Sequence, residues 1–365
     1  MKRIAIVYLG RKGGGATYSL EITKALLKKN IEIFTIISED IENRQQWENL
    51  TEYKNYTLRC LPTYSSKIGF LKSFFPNKKY KKCIQELKGW SPEAIYIPMI
   101  TLNARKIISH FDSKIIVTTI HDIVPHPGER NILQYLIFEY IKKRSSKLIV
   151  LTESFKNIVS QRYGVSIENV CHIPHAGFCF NPPDAKPKYN EIFYSILFFG
   201  RITPYKGLSV LLTAFELAKQ TLPMLKLTIA GNGEISEYEQ NIIDRNRDCI
   251  NIINQWLPET EIYNLFSKSD LVVLPYIEAS QSGVAAAAFG AGRTIVASDI
   301  GGLKEQVEPG GGITVKPGSP EDLSSAIINL YSNPNLIKDK NKQALKYFEQ
   351  ALTWEASAQK LIEFL

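Results

Sequence analysis

Short apolar runs alternate with amphipathic segments along the whole chain. Runs rich in Val, Ile, Leu and Phe predict buried strands. They lie at 3–9, 31–37, 94–98, 115–120 and 147–151 in the first half, and at 194–199, 226–230, 250–253, 270–274, 294–297 and 312–315 in the second. Between them, apolar residues recur at helical spacing in segments that include 16–29, 208–220, 259–268 and 321–331. Such alternation is typical of parallel sheets with helices on both faces.

The length of the chain indicates two domains, because 365 residues exceed what a typical single core holds. Residues 181–188 are polar and rich in proline and predict a linker. We therefore predict one Rossmann-like domain over 1–182 and a second over 189–345, facing each other across a cleft. The last segment, 346–365, contains a stretch with helical periodicity. A plain terminal helix of the second domain is one interpretation of it.

The net charge of +8 belongs to the first half of the chain. Residues 1–185 hold 27 Lys and Arg against 16 Asp and Glu, while residues 186–365 hold 17 against 20. In the stretch 59–88, eight basic residues accompany one acid, Glu86, and aromatic residues are interleaved. That mixture suits an anionic membrane surface or a lipid-linked phosphate, and a solvated basic face is the alternative. No helix-turn-helix, RRM or zinc pattern is present, so we predict no nucleic-acid partner.

The lengths of the apolar runs and the spacing of the cysteines indicate the cellular compartment of the protein. No apolar run approaches the roughly 18 residues of a membrane span. The sequence enters a short strand directly, so we expect no secretory leader. The five cysteines lack metal-type spacing and are interpreted as reduced thiols. These features predict a cytoplasmic protein.

Two loops of the second half carry candidate chemistry. In residues 199–207, Arg201 and Lys206 come directly after a predicted strand. In residues 278–283, small hydroxyl residues and a glycine follow another strand, and a helix comes next. Ligands collect at the carboxyl ends of parallel strands, where Arg, Lys and a helix N-terminus bind phosphate oxygens. The two loops therefore predict a diphosphate site.

The first half offers weaker signals. Residues 9–15 form a Gly-rich turn before a helix, which suits an anion or a tight turn without a ligand. His121 follows a predicted strand, and Asp122 would orient its ring or hold its charge, although a structural histidine is the alternative. His126 lies in a Pro-containing turn. No cysteine lies within 121–129 and the chain has no Asp-x-Asp, so we predict no metal.

Eight short motifs extend over nearly the full length of the chain. They lie at 13–15, 119–122, 151–154, 170–177, 200–207, 229–233, 292–298 and 301–305. In this order and spacing they resemble the retaining family-4 glycosyltransferases, which have the GT-B fold. The resemblance implies transfer of a sugar from a nucleotide-sugar with retention at the anomeric carbon. It also implies a donor site in the second domain, an acceptor site in the first, and a C-terminal helix within 346–365 that crosses back to the first domain.

The candidate site residues combine the loop chemistry with this resemblance. As catalytic residues we assign His121, Arg201, Lys206 and Glu278. As donor-binding residues we assign Gly14, Gly15, Gly200, Gly231, Asn232, Gly233, Ser280, Gln281, Ser282, Gly283 and Val284. As acceptor-binding residues we assign Asp122 and His126. No metal and no cofactor are predicted, because the nucleoside-diphosphate sugar is a co-substrate.

One departure from the family pattern concerns a pair of glutamates. Many members carry two of them eight positions apart, which reach the donor sugar and the ribose. Glu278 fits the first, whereas the second would fall at 286–288, all of which is occupied by the alanines of 285–288. Residues 280–284 resemble a subgroup found among enzymes of bacterial surface polysaccharide assembly. The ribose contact stays unassigned, and residues 253–258 are the candidate pocket for the base.

The predicted function is a retaining, metal-independent glycosyltransferase. Its acceptor would be a growing lipid-linked glycan or an oligosaccharide, and the protein would lie peripherally on the inner face of the membrane. A catalytically silent sugar-nucleotide-binding subunit and a nucleotide-sugar epimerase of the same fold are the alternatives. A nicotinamide dehydrogenase is disfavoured because the chain lacks GxGxxG.

Overall fold

The chain forms two compact units. The structure is a computed structural model that describes residues 2–64, 69, 77–122, 132–177 and 194–365. Unit 1 comprises Met1–Ile173 together with Trp354–Leu365, and unit 2 comprises Pro174–Thr353. The predicted linker, 181–188, lies outside the described residues. The first boundary between the units therefore precedes it.

Thirteen strands and fourteen α-helices make up the described part of the two units. The strands are β1 Arg3–Tyr8, β2 Glu32–Ser38, β3 Tyr56–Leu61, β4 Ala94–Ile97, β5 Ile116–Ile120, β6 Lys147–Val150, β7 Val170–His172, β8 Ser195–Phe199, β9 Lys226–Ala230, β10 Ile250–Ile253, β11 Leu271–Leu274, β12 Thr294–Ser298 and β13 Ile313–Val315. The helices are α1 Gly14–Leu27, α2 Arg44–Asn49, α3 Lys78–Trp90, α4 Arg105–Ile108, α5 Ile132–Arg144, α6 Lys156–Tyr163, α7 Leu208–Thr221, α8 Glu237–Arg245, α9 Glu259–Lys268, α10 Gly283–Gly290, α11 Leu303–Val307, α12 Pro320–Tyr331, α13 Pro334–Ala351 and α14 Trp354–Phe364.

Unit 1 contains a seven-stranded sheet in the order β3-β2-β1-β4-β5-β6-β7. All of its pairings are parallel. The central strands β1, β4 and β5 are almost entirely buried, because helices cover both faces of the sheet. Their continuous apolar runs are the sequence signature of this burial.

Two strands were not predicted, and both lie at the edges of this sheet. The edge strand β3 includes the exposed Arg59 and three half-buried residues, so it shows no continuous apolar run. The other edge strand, β7, is only three residues long. Edge strands are covered less than central ones, so the hydrophobic pattern marks them poorly.

Unit 2 contains a six-stranded parallel sheet in the order β10-β9-β8-β11-β12-β13. The chain order reverses between β8 and β11, with β9 on one side of β8 and β11 on the other. In open parallel sheets such a switch point leaves a crevice outside the carboxyl ends of the strands. The loops that follow β8, β9 and β11 are therefore where a ligand site is expected.

The end of the chain belongs to unit 1. The predicted segment 346–365 comprises the last turns of α13, which lies in unit 2, and all of α14, which lies in unit 1. Trp354 packs edge-on against Tyr18 of α1, with ring centroids 5.0 Å apart. At the far end of α14, the ammonium of Lys2 donates a hydrogen bond to the carbonyl of Ile362 at 2.9 Å. Helix α14 thus covers α1.

Trp354 provides a test of this packing. Replacing Trp354 by Ala removes a ring that is only 7% exposed and should lower the free energy of unfolding by about 3–5 kcal/mol. The matched control is Glu355→Ala, which removes a half-exposed ion pair with Lys28 and should cost less than about 1 kcal/mol. Urea unfolding followed by circular dichroism measures both, and equal midpoints would contradict the packing.

Candidate functional site

The loop after β8 stays paired with the loop after β9. The Gly200 amide donates to the Ala230 carbonyl at 3.0 Å, and the Ile202 amide donates to the Asn232 carbonyl at 3.0 Å. Gly231 has φ +144, and a side chain there would overlap the carbonyl of Gly200. Between these paired residues, Arg201 is exposed at the carboxyl end of the sheet. The close approach of the two backbones therefore fixes the backbone that carries Arg201.

The side chain of Asn254 extends this pairing. Its carbonyl oxygen accepts from the Gly233 amide at 3.1 Å, and its NH₂ group donates to the Gly233 carbonyl at 2.9 Å. A side-chain amide thus takes the place of a neighbouring strand. Asn254 lies within the predicted base pocket, 253–258, where Trp256 is 69% exposed.

Lys206 is positioned by a tight turn and two aromatic rings. It ends a 3₁₀ turn, Pro204–Lys206, and its ammonium lies 3.8 Å from the ring centroid of Tyr276 and 5.4 Å from that of Tyr205. Both distances are within the range of a cation–π interaction. Gly207 follows in the left-handed region at φ +69, and a side chain there would overlap the Pro275 carbonyl. The loops after β8 and β11 therefore meet at Lys206.

The loop after β11 is held by a second side-chain amide. The Ser282 amide donates to the side-chain oxygen of Gln306 at 2.9 Å, and the Gln306 NH₂ group donates to the Ser282 carbonyl at 2.8 Å. The hydroxyls of Ser282 and Tyr276 lie 3.1 Å apart. Within the described part of the chain, the buried side-chain oxygen of Gln281 accepts no hydrogen bond. This oxygen is therefore an acceptor available to a ligand hydroxyl.

Helix α10 begins at Gly283, directly after this turn, and Val284 is half-buried. Glu278 is exposed in the same loop. The alanines of 285–288 include 286–288, where the family's second glutamate would fall, and they are buried in the core of unit 2. A carboxylate at these positions would be desolvated in this structure.

In unit 1, His121 directly follows β5. Its Nε2 lies 2.8 Å from the Pro98 carbonyl, and its ring packs edge-on against Tyr18 with centroids 4.8 Å apart. Burial lowers the pKa of His121, although the Pro98 carbonyl and the charge of Asp122 act in the opposite direction. A carbonyl oxygen only accepts, so the neutral ring donates through Nε2 and Nδ1 is its acceptor. His126 lies outside the described residues.

The Gly-rich turn of unit 1 is held by a carboxylate. The Gly13 amide donates to the Glu42 carboxylate at 2.6 Å, and helix α1 begins at Gly14. Gly14 is exposed, whereas Gly15 is buried beside Tyr8. Burial, and secondarily Glu42, raises the pKa of Tyr8. The hydrogen bond from its amide to Glu42 therefore holds the backbone of Gly13 in place within the turn.

The predicted site residues therefore fall into two groups. Unit 2 brings together the loops that carry Arg201, Lys206, Ser282 and the start of α10, while His121 and the Gly-rich turn lie in unit 1. The sequence analysis missed Tyr276 and Gln306 as contributors to the site, and it included Asn254 in the base pocket without predicting its pairing with Gly233. The sequence offered a weak signal for both, since Gln306 directly follows the motif at 301–305 and Tyr276 lies two positions before the loop at 278–283.

Comparisons with known proteins agree on the fold. Residues 194–333 match the family model described as "Glycosyl transferases group 1". A glycosyltransferase from Rickettsia africae superimposes with a TM-score of 0.74 at 16% identity, over 99% of this chain and 97% of that one. HepE of Anabaena, solved with UDP and glucose, gives a TM-score of 0.71 at 18% identity, over 100% and 99%. The chain has the GT-B fold. The predicted fold class is confirmed.

A curated relative extends the likeness in sequence. The lipopolysaccharide 1,2-N-acetylglucosaminetransferase of Salmonella typhimurium is 26% identical over 342 residues, which cover 86% of this chain and 85% of the relative. The matched family model lies within unit 2, which holds the loops of Arg201 and Lys206. Together these matches support a glycosyltransferase of the group 1 type.

Gly207 provides a stability test of the loop geometry. Gly207→Ala places a side chain at φ +69 and against the Pro275 carbonyl, whereas Gly318→Ala has φ +70 and nothing within 4 Å. The left-handed conformation alone should cost about 1–2 kcal/mol in both variants. We expect the additional overlap to lower the unfolding free energy of Gly207→Ala by a further 1–3 kcal/mol, roughly the cost of overpacking. Similar urea midpoints would show that the two loops do not meet.

His121 predicts a dependence of stability on pH. Its folded pKa lies below the ordinary value of 6.5, so the unfolded chain binds more protons as the pH falls through that value. Acidification from pH 7.5 to 5.5 should therefore lower the unfolding free energy of the wild type more than that of His121→Asn, by at most about 1.4 kcal/mol per pH unit. His110→Asn, at an exposed position, serves as the control. Equal acid sensitivity of the wild type and His121→Asn would contradict the burial of the ring.

Proposed function

We propose that the protein is a retaining glycosyltransferase that moves a sugar from a nucleoside-diphosphate sugar to a growing, lipid-linked glycan in surface polysaccharide assembly. The observation that carries the proposal is the meeting of the Arg201 and Lys206 loop with the loop after β11, which also holds the Ser282 turn, at the carboxyl ends of β8 and β11. The Salmonella relative named for lipopolysaccharide and the Anabaena structure with UDP-glucose support this choice of acceptor and donor.

The chemistry asks the site to stabilise negative charge. As the bond between the anomeric carbon and the diphosphate oxygen breaks, charge develops on the leaving diphosphate. Preorganised cations lower the energy of that transition state. In this proposal Arg201 and Lys206 supply them, the N-terminus of α10 adds its amides, and no metal is required. The donor is consumed as a co-substrate, so no cofactor is involved.

The donor sugar would be held by polar side chains. Glu278 is exposed in the loop after β11 and accepts hydrogen bonds from sugar hydroxyls in this scheme. The buried oxygen of Gln281 offers a second acceptor. His121, neutral and with Nδ1 as its acceptor, contributes a hydrogen bond to the sugar, while Asp122 and His126 are proposed for the acceptor. The nucleobase is proposed to occupy the region of 253–258.

Two other functions lead to different products. A silent sugar-nucleotide-binding subunit would leave the donor unchanged, and a nucleotide-sugar epimerase would change the sugar but leave it on the nucleotide. Incubation with radiolabelled nucleotide-sugars and a membrane extract separates them. We expect the label to move into the lipid fraction. Label that remains on an altered or an unaltered nucleotide would overturn the proposed transfer.

We also propose peripheral attachment to an anionic membrane, at its cytoplasmic face. Among the described residues, no helix is long and apolar enough to span a bilayer. The cations of 59–88 support a reversible, electrostatic mode of attachment, worth roughly 1 kcal/mol for each Lys or Arg near the surface. This attachment would bring the protein to a lipid-linked acceptor.

The cations of the loop after β8 provide the kinetic test. Arg201→Ala and Lys206→Ala should each lower kcat on the order of 10²-fold, because each removes a preorganised charge from the leaving diphosphate. Arg247→Ala is the matched control, since that guanidinium is 74% exposed and pairs with Asp244 at 3.1 Å. Its turnover should equal that of the wild type. Normal turnover in both site variants would refute the assignment.

A further inference from the structure

A furrow crosses the helical layer on one face of the unit 1 sheet. Helices α3, α4 and α5 bury residues in the same core cluster as β1, β2 and β4. Helix α4 has four residues, whereas α3 and α5 have 13 each. Because a single turn is too short to fill the layer between two longer helices, a cavity of about 760 Å³ remains there.

One part of the furrow wall is cationic. Lys81, Lys88, Arg105 and Lys106 line it, and none of its described lining residues is acidic. In the described part of the chain, Lys81, Lys88 and Lys106 form no ion pair. The ammonium of Lys106 lies 4.7 Å from the ring centroid of Tyr80, and burial, followed by the charge of Arg105, lowers its pKa. Among the described residues, the three lysines of this wall therefore carry positive charge that no carboxylate pairs with.

Three neighbouring cations of residues 59–88 do lie close to carboxylates. The guanidinium of Arg59 pairs with the carboxylate of Glu86 at 2.6 Å, and Lys82 approaches the same carboxylate at 4.0 Å. Lys79 pairs with Glu39 at 2.6 Å. Among the described lysines of α3, Lys79 and Lys82 therefore approach a carboxylate, whereas Lys81 and Lys88 line the furrow without one.

The other part of the wall is apolar. Helix α5 has apolar residues on two sides: Ile137 and Ile141 enter the core, while Ile132, Leu136 and Tyr140 on the outside are 77%, 58% and 42% exposed. Leu136 and Tyr140 line the furrow beside the lysines. A helix that is apolar on its solvent side, next to a cationic wall, is typical of a surface that docks on a membrane.

We propose that this furrow is a binding site for the phosphate headgroup of an anionic membrane phospholipid. Lys88, Lys106 and Lys81 contact the phosphate, and the outer side chains of α5 enter the apolar edge of the bilayer. The site gives the attachment proposed above a defined location and rests on that proposal. It is separate from the loops that carry Arg201 and Lys206, so it predicts lipid binding that does not depend on sugar transfer.

The first experiment removes the charge of the wall in the full-length protein. The triple variant Lys81→Gln, Lys88→Gln, Lys106→Gln should bind vesicles of phosphatidylcholine with 30 mol% phosphatidylglycerol on the order of 100-fold more weakly, about tenfold for each half of the lost charge. The control triple, Lys29→Gln, Lys54→Gln, Lys114→Gln, removes the same charge from exposed positions of unit 1. It should keep most of the binding. Equal losses in the two triple variants would show that binding depends on the overall charge of the protein rather than on the furrow, and would overturn the site.

The second experiment tests the apolar wall. Leu136→Ser with Tyr140→Ser should weaken sedimentation with the same vesicles at least about tenfold, since apolar contact at the interface is lost. Ile158→Ser with Ile167→Ser changes side chains that are 48% and 43% exposed elsewhere in unit 1 and should have little effect. Circular dichroism verifies that each variant is folded. Unchanged binding of the α5 variant would refute insertion of this helix.

A soluble lipid tests headgroup binding in the furrow separately from attachment to a membrane. Dihexanoyl-phosphatidylglycerol below its micellar concentration should bind the wild type, as measured by calorimetry, and fail to bind the Lys81, Lys88 and Lys106 triple. Inorganic phosphate that binds equally well would identify the ligand as a free anion and overturn the lipid site. Binding of the soluble lipid without vesicle binding would retain the furrow and refute membrane attachment. Vesicle binding that is unaffected in the triple variant would retain membrane attachment and refute the furrow as its site.

Discussion

The close approach of backbone to backbone at the carboxyl ends of β8, β9 and β11 is the constraint on which the candidate site depends. At Gly231 and Gly207 the neighbouring carbonyl occupies the space that any side chain would need. Two side-chain amides, from Asn254 and Gln306, then complete the pairing by donating to and accepting from one backbone residue each. Main-chain contacts therefore fix the backbone of the loop that carries Arg201 and Lys206.

The sequence predicts those parts of the fold that burial determines. Strands such as β1 and β11 are buried nearly throughout, so their apolar runs stand out, whereas the edge strand β3 mixes apolar residues with Arg59 and lacks that signal. In the site, Arg201 and Lys206 were identifiable because they follow a strand end. Asn254 was not identifiable as a partner of Gly233, because that contact spans 21 residues of sequence and exists only when β9 and β10 lie side by side.

Charge is another property that a sequence reports only in part. The stretch 59–88 contains eight basic residues and one acid, which suggests a uniformly cationic surface. The fold brings Glu39 to Lys79 from 40 positions away, and it lets Glu86 serve Arg59 across 27. Local composition therefore does not reveal that Lys79 and Lys82 approach carboxylates, whereas Lys81 and Lys88 form no ion pair among the described residues. Only tertiary structure sorts the lysines that are neutralised from those that are available.

The assignment of α14 to unit 1 has a consequence for the order in which the protein is made. A ribosome completes residues 174–353 before it reaches Trp354, so all of unit 2 emerges while α1 still lacks the helix that covers it. Domains generally fold as units during synthesis, the N-terminal one first. Here α1 stays uncovered until residues 354–364 have been made, so the nascent protein exposes an apolar surface of α1 while unit 2 is being synthesised.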